Sequence, residues 1–438
     1  MEIVNFEAPT DLRKLDFGAL RDPLRPYEPD GNNLGPRLGF AWTVDEHERT
    51  VVRGGVGYLY SPNLAATVRQ SAANPFIPFR IVYNRTEIAA RRVKWPLYTD
   101  ESMLLAQADS AGRRSVFSLF DPNMQVPYTI QSMIGVQRSF GRSMVLETSY
   151  LRTDGNDFPL QRQFTQAFDR QTGARPNPAL GAPGGYYVDS SQTMVYNGFQ
   201  NTLRKRFSDR YSWEVNYTLG KSVATQGGDL SAYYIASFEN NQDFWDPEFD
   251  RGPASNDVRH RLNGSFIYEL PGIRGGHGLL NGVIGGWQLS GILQSRSGTA
   301  LRVQQPSGID RSRPDVVPGV DLIFPDWQSR CDARGCNYLN PAGFVRVPVS
   351  PVTNATLRPG TYMLDMARGP ASLNLHTTVA KSFALATGAR LQVRADVFNV
   401  LNRKNYDNPE LRVNNVDFGR ITGASGSRTF QLGGRLTF

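Results

Sequence analysis

No run of about 18 consecutive apolar residues occurs anywhere in the 438-residue chain, which excludes a membrane-crossing helix. Histidine is scarce, with 4 residues, and cysteine scarcer, with 2. None of His47, His260, His277 and His376 falls in an HExxH pattern, and the chain has neither a P-loop nor a GxSxG elbow. The sequence therefore carries no motif for hydrolysis, nucleotide binding or zinc chemistry; neither catalysis nor a cofactor is expected. Basic blocks are missing too. The net charge of +8 is spread over short pieces such as Arg204-Lys205-Arg206, with no nucleic-acid-binding motif beside them, so no nucleic-acid partner is expected. Residues Met1 to Glu7 lack the basic and apolar regions of a signal peptide. For a soluble protein this points to the cytoplasm; for a membrane barrel it points to an N-terminus lying elsewhere.

What the chain does have is aromatic residues (11%) and 42 Gly at only 40% hydrophobic content, a composition that suits many strands and turns. A mean hydropathy of −0.40 is low for a helical membrane protein. A barrel strand needs an apolar side chain only at every second position, so the value does not exclude a barrel. Period-2 alternation is plain in several segments. Tyr211, Trp213, Val215, Tyr217 and Leu219 alternate with Ser212, Glu214, Asn216 and Thr218. Leu391, Val393, Ala395 and Val397 alternate with Gln392, Arg394 and Asp396. The pattern predicts strands near 37–43, 50–60, 127–139, 143–151, 195–207, 210–221, 258–270, 286–296, 372–383, 389–401 and 428–438. That is about eleven, many of them long enough to cross a hydrocarbon core when tilted, which takes about 9–11 residues.

The connections alternate between short and long, with short ones at 44–49, 140–142, 208–209 and 384–388. Outer-membrane barrels have this rhythm of short periplasmic turns and long extracellular loops. It places the C-terminal Phe438 at the periplasmic end. Charged residues (Glu214, Arg261, Glu269, Arg394, Asp396, Arg435) lie opposite the apolar stripes, and Trp42, Tyr58, Tyr60, Tyr150, Tyr211, Trp213, Tyr268 and Trp287 lie near strand ends, as in interfacial girdles. The expected fold is all-β: an antiparallel transmembrane β-barrel segment with long extracellular loops. A soluble sandwich also alternates and stays open as the alternative.

Several segments resemble the C-terminal barrel of TonB-dependent receptors, specifically the Oar-like group. They include Pro36 to Trp42, Thr50 to Tyr58, Gly135 to Gly141, Val145 to Tyr150, Asn197 to Gln200, Tyr217 to Ser222 and Asp257 to Arg261. Gly286 to Gly291, Asn340 to Phe344 and Arg394 to Asn402 complete the series, which spans nearly the whole chain in order. The resemblance implies the second half of a closed 22-stranded barrel over residues 1–438, with the plug, TonB-contacting box and signal peptide having no counterpart here. Its implied partners are outer-membrane lipid, the barrel-assembly machinery, the missing N-terminal barrel half and plug, and TonB only through that plug. The implied function is uptake of a large ligand. An orphan or adhesive surface barrel, or a secreted β-rich binding module, remain the alternatives.

Four groups of residues are candidate sites. Gln431, Gly433, Leu436 and Phe438 resemble the C-terminal signal read by the barrel-assembly machinery; a plain amphipathic last strand is the other reading. Cys331 and Cys336, five residues apart, fit a small disulfide-closed loop of an oxidising compartment. Arg204, Arg206, Arg261, Arg394 and Arg435 are expected to form a basic lumenal wall attractive to anions or an acidic plug. Loop 239–261 holds Glu239, Asp243, Asp246, Glu248, Asp250 and Asp257, together with Phe244, Trp245 and Phe249. It fits a solvated loop better than a calcium site, since DxDxDG spacing is absent.

Overall fold

The computed structural model describes residues 30–47, 49–61, 117–163, 185–225, 242–243, 246–271, 285–307, 310–351, 356–385 and 388–438. The order of the main sheet follows the chain without crossing. Its strands are β1 (Arg37–Thr43), β2 (Thr50–Tyr60), β3 (Tyr128–Phe140), β4 (Met144–Gln163), β5 (Gly185–Ser208) and β6 (Tyr211–Ala224), then β7 (His260–Glu269), β8 (Trp287–Arg296), β9 (Ser372–Ala384), β10 (Arg390–Phe398) and β11 (Thr429–Thr437). Each pairs antiparallel with the next. Phe117–Phe120 adds a short parallel strand beside the start of β5. Among the described residues no pairing joins β1 to β11, and no α-helix occurs.

The predicted strands 37–43 and 50–60 coincide with β1 and β2. Those predicted at 143–151 and 195–207 are too short. β4 and β5 run on as far as Gln163 and back to Gly185, with register shifts near Phe158. Alternation stops beyond the membrane because water wets both faces there, while the backbone ladder continues.

Cross-strand partners share a face, so the ladder sorts the side chains. One face carries Leu38, Phe40 and Trp42 on β1, Ile134 and Val136 on β3, and Val215 and Leu219 on β6. It continues through Leu289 and Leu293 on β8 to Phe430 and Leu432 on β11. Many of these apolar side chains stand in the open, Leu432 at 82%. An apolar band of this extent is a lipid-facing surface rather than the wet side of a soluble sheet.

Glycines let aromatic rings lie flat on this band. Phe40 pairs with Gly54 and covers it, and Phe266 likewise covers Gly291. A Cβ at Gly54 meets the Phe40 ring at 2.7 Å. These glycines thus permit close approach and do not form a phosphate loop.

The main apolar core lies above the sheet. The described residues of segments 297–371 and 399–428 fold over the rim of long connections into a cap around Leu301, Val303, Tyr338, Leu339, Tyr362 and Ile421. Trp327 packs edge-on against Tyr338 and Tyr406, with ring centroids 5.1 and 4.9 Å apart.

Candidate functional site: the inner wall and the cap

The opposite face of the sheet is polar. At one level Gln137, Glu147, Thr202, Asn216, Asn263, Gln294 and Asn374 follow one another across seven strands, each paired with the next. Thr202 donates its hydroxyl to Asn216 Oδ1 at 2.7 Å, and Asn216 donates its amide to Glu214 Oε1 at 2.8 Å. Such a row costs little in a water-filled lumen and much against lipid. This makes the polar face the inner one.

All five predicted wall arginines belong to the polar face. Nearer the rim of short turns, Arg204, Arg206 and Arg394 line a groove of about 760 Å3 together with Glu214, His376 and Asp396. The wall is less uniformly basic than its arginines suggest. Arg204 stands opposite Glu214, and Arg394 pairs with Asp396 at 2.8 Å. Thr378 adds a hydroxyl bond to Asp396 at 2.6 Å. Higher up, Arg261 and Arg296 are direct cross-strand neighbours, a like-charge pair that leaves that level electropositive. Arg435 lies opposite Gln392 near the end of the chain. His376 Nδ1 accepts the backbone N–H of Asn399 at 3.0 Å.

Of the C-terminal residues, Gln431 pairs with Asp396 and Gly433 with Arg394 on the inner face. Leu436 pairs with Leu391 on the lipid side, and Phe438 is exposed just past β11.

The cap is tied to the sheet by ion pairs that sequence reasoning did not find. Asp250 and Arg313 form a buried pair, and Gln242 accepts the Arg313 N–H at 2.8 Å and the Gly360 N–H at 3.1 Å. Burial lowers Arg313 to about 10. Asp257 accepts the Ser222 N–H at 2.7 Å and pairs with Arg368. With Glu248 paired to Arg251 at 3.2 Å, at least three of the six carboxylates of loop 239–261 are committed to arginines. Glu239, Phe244 and Trp245 lie outside the described residues, and no cluster of metal-ligating side chains occurs among the described ones.

Cys331 and Cys336 are disulfide-bonded across a tight hairpin, with Cα atoms 4.0 Å apart. The hairpin is held to the second cap segment by Cys336 pairing with Ile421 and by Arg420 bonding Asp332 at 2.5 Å. The Arg334 N–H and Arg420 pull the Asp332 carboxyl below its usual range. In the same cap, burial pushes the Tyr338 hydroxyl up to about 12, and that hydroxyl donates to the Arg368 carbonyl at 2.7 Å.

The family described as outer membrane beta barrel domain matches residues 5–431. No curated protein sequence matches the chain. Among solved structures, the outer membrane transporter YddB from Escherichia coli is similar at 12% identity and a TM-score of 0.47, over 92% of this chain and 40% of that one. The FrpB iron transporter from Neisseria meningitidis is similar at 12% identity and a TM-score of 0.44, over 92% of this chain and 39% of that one. The chain therefore spans about two fifths of the length of the solved structures it matches. With a family match over nearly its whole length, the chain belongs to the outer membrane beta barrel domain family, and its place is the Gram-negative outer membrane.

Proposed function

We propose that this chain forms one wall of a TonB-dependent receptor, a non-catalytic, gated barrel for a ligand too large for porins. The observation that carries the reading is the unbroken polar row from Gln137 to Asn374, which gives the sheet a wet inner face behind a lipid-facing outer one. Antiparallel sheets of this strand number and length enclose solute pathways when closed into a barrel. Arginines beside carboxylates, Arg204 across from Glu214 and Arg394 next to Asp396 on its own strand, offer exchangeable partners to a mobile gate inside the lumen. The names of the structural neighbours, an outer membrane transporter and an iron transporter, agree with transport.

The test is energised uptake. Cells expressing the complete reading frame are supplied with a panel of labelled metal chelates and other large solutes, with and without a functional TonB. Accumulation of one of them that disappears without TonB supports the reading; no difference between the two strains for any solute rejects it. The packed cap favours a second reading, a surface barrel that binds without transport. Under that reading, deleting the cap abolishes surface binding while uptake is absent in both strains.

A further inference from the structure

Three donors stand side by side on the lipid face just above the apolar band. Arg152 on β4 pairs with Asn197 on β5, and Asn197 with Lys221 on β6. Strands lie about 4.8 Å apart, so the two cations flank Asn197 with roots about 10 Å from each other. One position lower on the same strands are Tyr150, Phe199 and Leu219, and Ile134 lies beside them on β3. This lower row is apolar or aromatic, and Ile134, Tyr150 and Phe199 are exposed. The boundary between the rows is where an acyl chain gives way to its headgroup.

The donors are held for use. Asp154 takes the Arg152 guanidinium through Nε at 2.8 Å and Nη2 at 2.6 Å, which fixes it at the surface. Tyr150 donates its hydroxyl to Asn197 Oδ1 at 2.6 Å, so the amide nitrogen is turned to the other side. Lys221 is exposed and has no hydrogen bond or ion pair among the described residues. Two cations against the Asp154 carboxylate leave the patch one net positive charge. It faces away from both the lumen and the cap core, so neither transport nor cap packing accounts for it.

We infer that Arg152, Asn197 and Lys221 form a docking site for the phosphate of an outer-leaflet lipid whose acyl chains lie over Ile134, Tyr150 and Phe199. A planar guanidinium and a mobile ammonium flanking an amide donor suit the tetrahedral oxygens of a phosphate monoester or diester. The row beneath supplies the apolar contact that a free phosphate ion cannot use, which selects a lipid over an inorganic anion. The inference rests on the outward orientation of this face and not on the transport reading.

The test uses the protein in detergent micelles, titrated with diphosphoryl lipid A and, separately, with inorganic phosphate, bound lipid being counted by native mass spectrometry. Arg152→Gln with Lys221→Gln weakens lipid A binding at least about tenfold, as expected for loss of two charge-assisted contacts. Lys221→Gln alone gives a smaller loss and removes no hydrogen bond among the described residues. Arg142→Gln, at an exposed turn on the opposite rim, binds as the parent does. Heat-modifiable gel mobility establishes that each variant is folded. If the double variant fails to fold, Lys221→Gln alone decides, and parental affinity in it overturns the site. Unchanged affinity in the folded double variant also overturns it, as does inorganic phosphate displacing lipid A at equal concentration.

Discussion

Asp257 and Arg368, 111 positions apart in sequence, meet at 2.5 Å where the cap joins the sheet. The carboxylate also accepts the Ser222 N–H of β6, so one side chain locks a barrel strand to the cap. Asp257→Asn keeps the amide bond and loses the charge facing Arg368. The expected cost is about 1.5–3 kcal/mol, the range for a hydrogen bond to a charged group. It falls below the figure for fully buried pairs because Arg368 is 30% exposed. Urea unfolding followed by Trp fluorescence measures the loss. A variant as stable as the parent removes the lock.

Lipid contact tests the two faces directly. Val215→Arg and Val393→Arg place a charge on the lipid side, at a cost of about 2–4 kcal/mol near the midplane, and should block assembly. Asn216→Arg and Gln392→Arg, on the lumenal side, should leave the barrel folded. Single Trp residues at 215 and 393 should be quenched by brominated acyl chains, and those at 216 and 392 should not. Equal quenching at all four rejects the assignment.

Acid should loosen the cap around Glu410. Arg412 holds this carboxylate down at about 2, from an ordinary value of 4.5. A carboxyl depressed by folding contributes stability that is complete above its unfolded pKa and lost as pH falls through the folded one. The window therefore runs from about pH 4.5 down to about pH 2. Asp315, Asp326 and Asp332 are shifted in the same direction by Arg358, Arg330 and the Arg334 N–H with Arg420. Trp327 fluorescence should stay native at pH 5 and change across that window, with a smaller change in Glu410→Gln. A Trp327 signal flat from pH 5 to pH 2 sinks the prediction.

Reduction of Cys331–Cys336 should be a local event. Closing so short a loop contributes about 2 kcal/mol on the chain-entropy model. Cysteine labelling from outside intact cells should rise after reduction while β-sheet circular dichroism stays unchanged. Labelling that occurs only from the periplasm places the cap on the wrong side.

Gly298 and Gly434 form a matched pair of tests. A Cβ at Gly298 runs into the backbone of Gly369, next to the Leu301–Ala367 hydrogen bond that starts the cap. Nothing lies within 4 Å of a Cβ at Gly434. Gly298→Ala should lower the unfolding midpoint clearly, and Gly434→Ala should leave it alone. Equal midpoints for the two variants count against the cap packing.

The sheet was legible because each strand answers to one local rule: lipid on one side, water on the other. Val215 and Asn216 reveal their faces to anyone reading the chain two residues at a time. The cap obeys no such period. Its strands are two or three residues long, and Gly335–Asn337 finds one of its partners at Arg420–Ile421, far along the chain. Asp250 could be read as an acid in an acidic loop, but nothing in its neighbourhood names Arg313 as its counter-ion. The far halves of β4 and β5 were missed for the same reason, since Thr153 to Gln163 show no alternation for a reader to follow.

The eleven strands along the main path of the sheet among the described residues, joined by successive reversals, have a directional consequence. Starting from β1, every second strand points the same way, so β1 and β11 run in the same direction. Laid edge to edge they meet in a parallel seam, and two copies of the sheet set around a common axis meet in two such seams. Antiparallel closure instead takes an odd number of further strands, the first and last of them opposed to β1 and β11. The parity of these described strands thus sets the direction of whatever strands would lie between β11 and β1 in a closed antiparallel sheet.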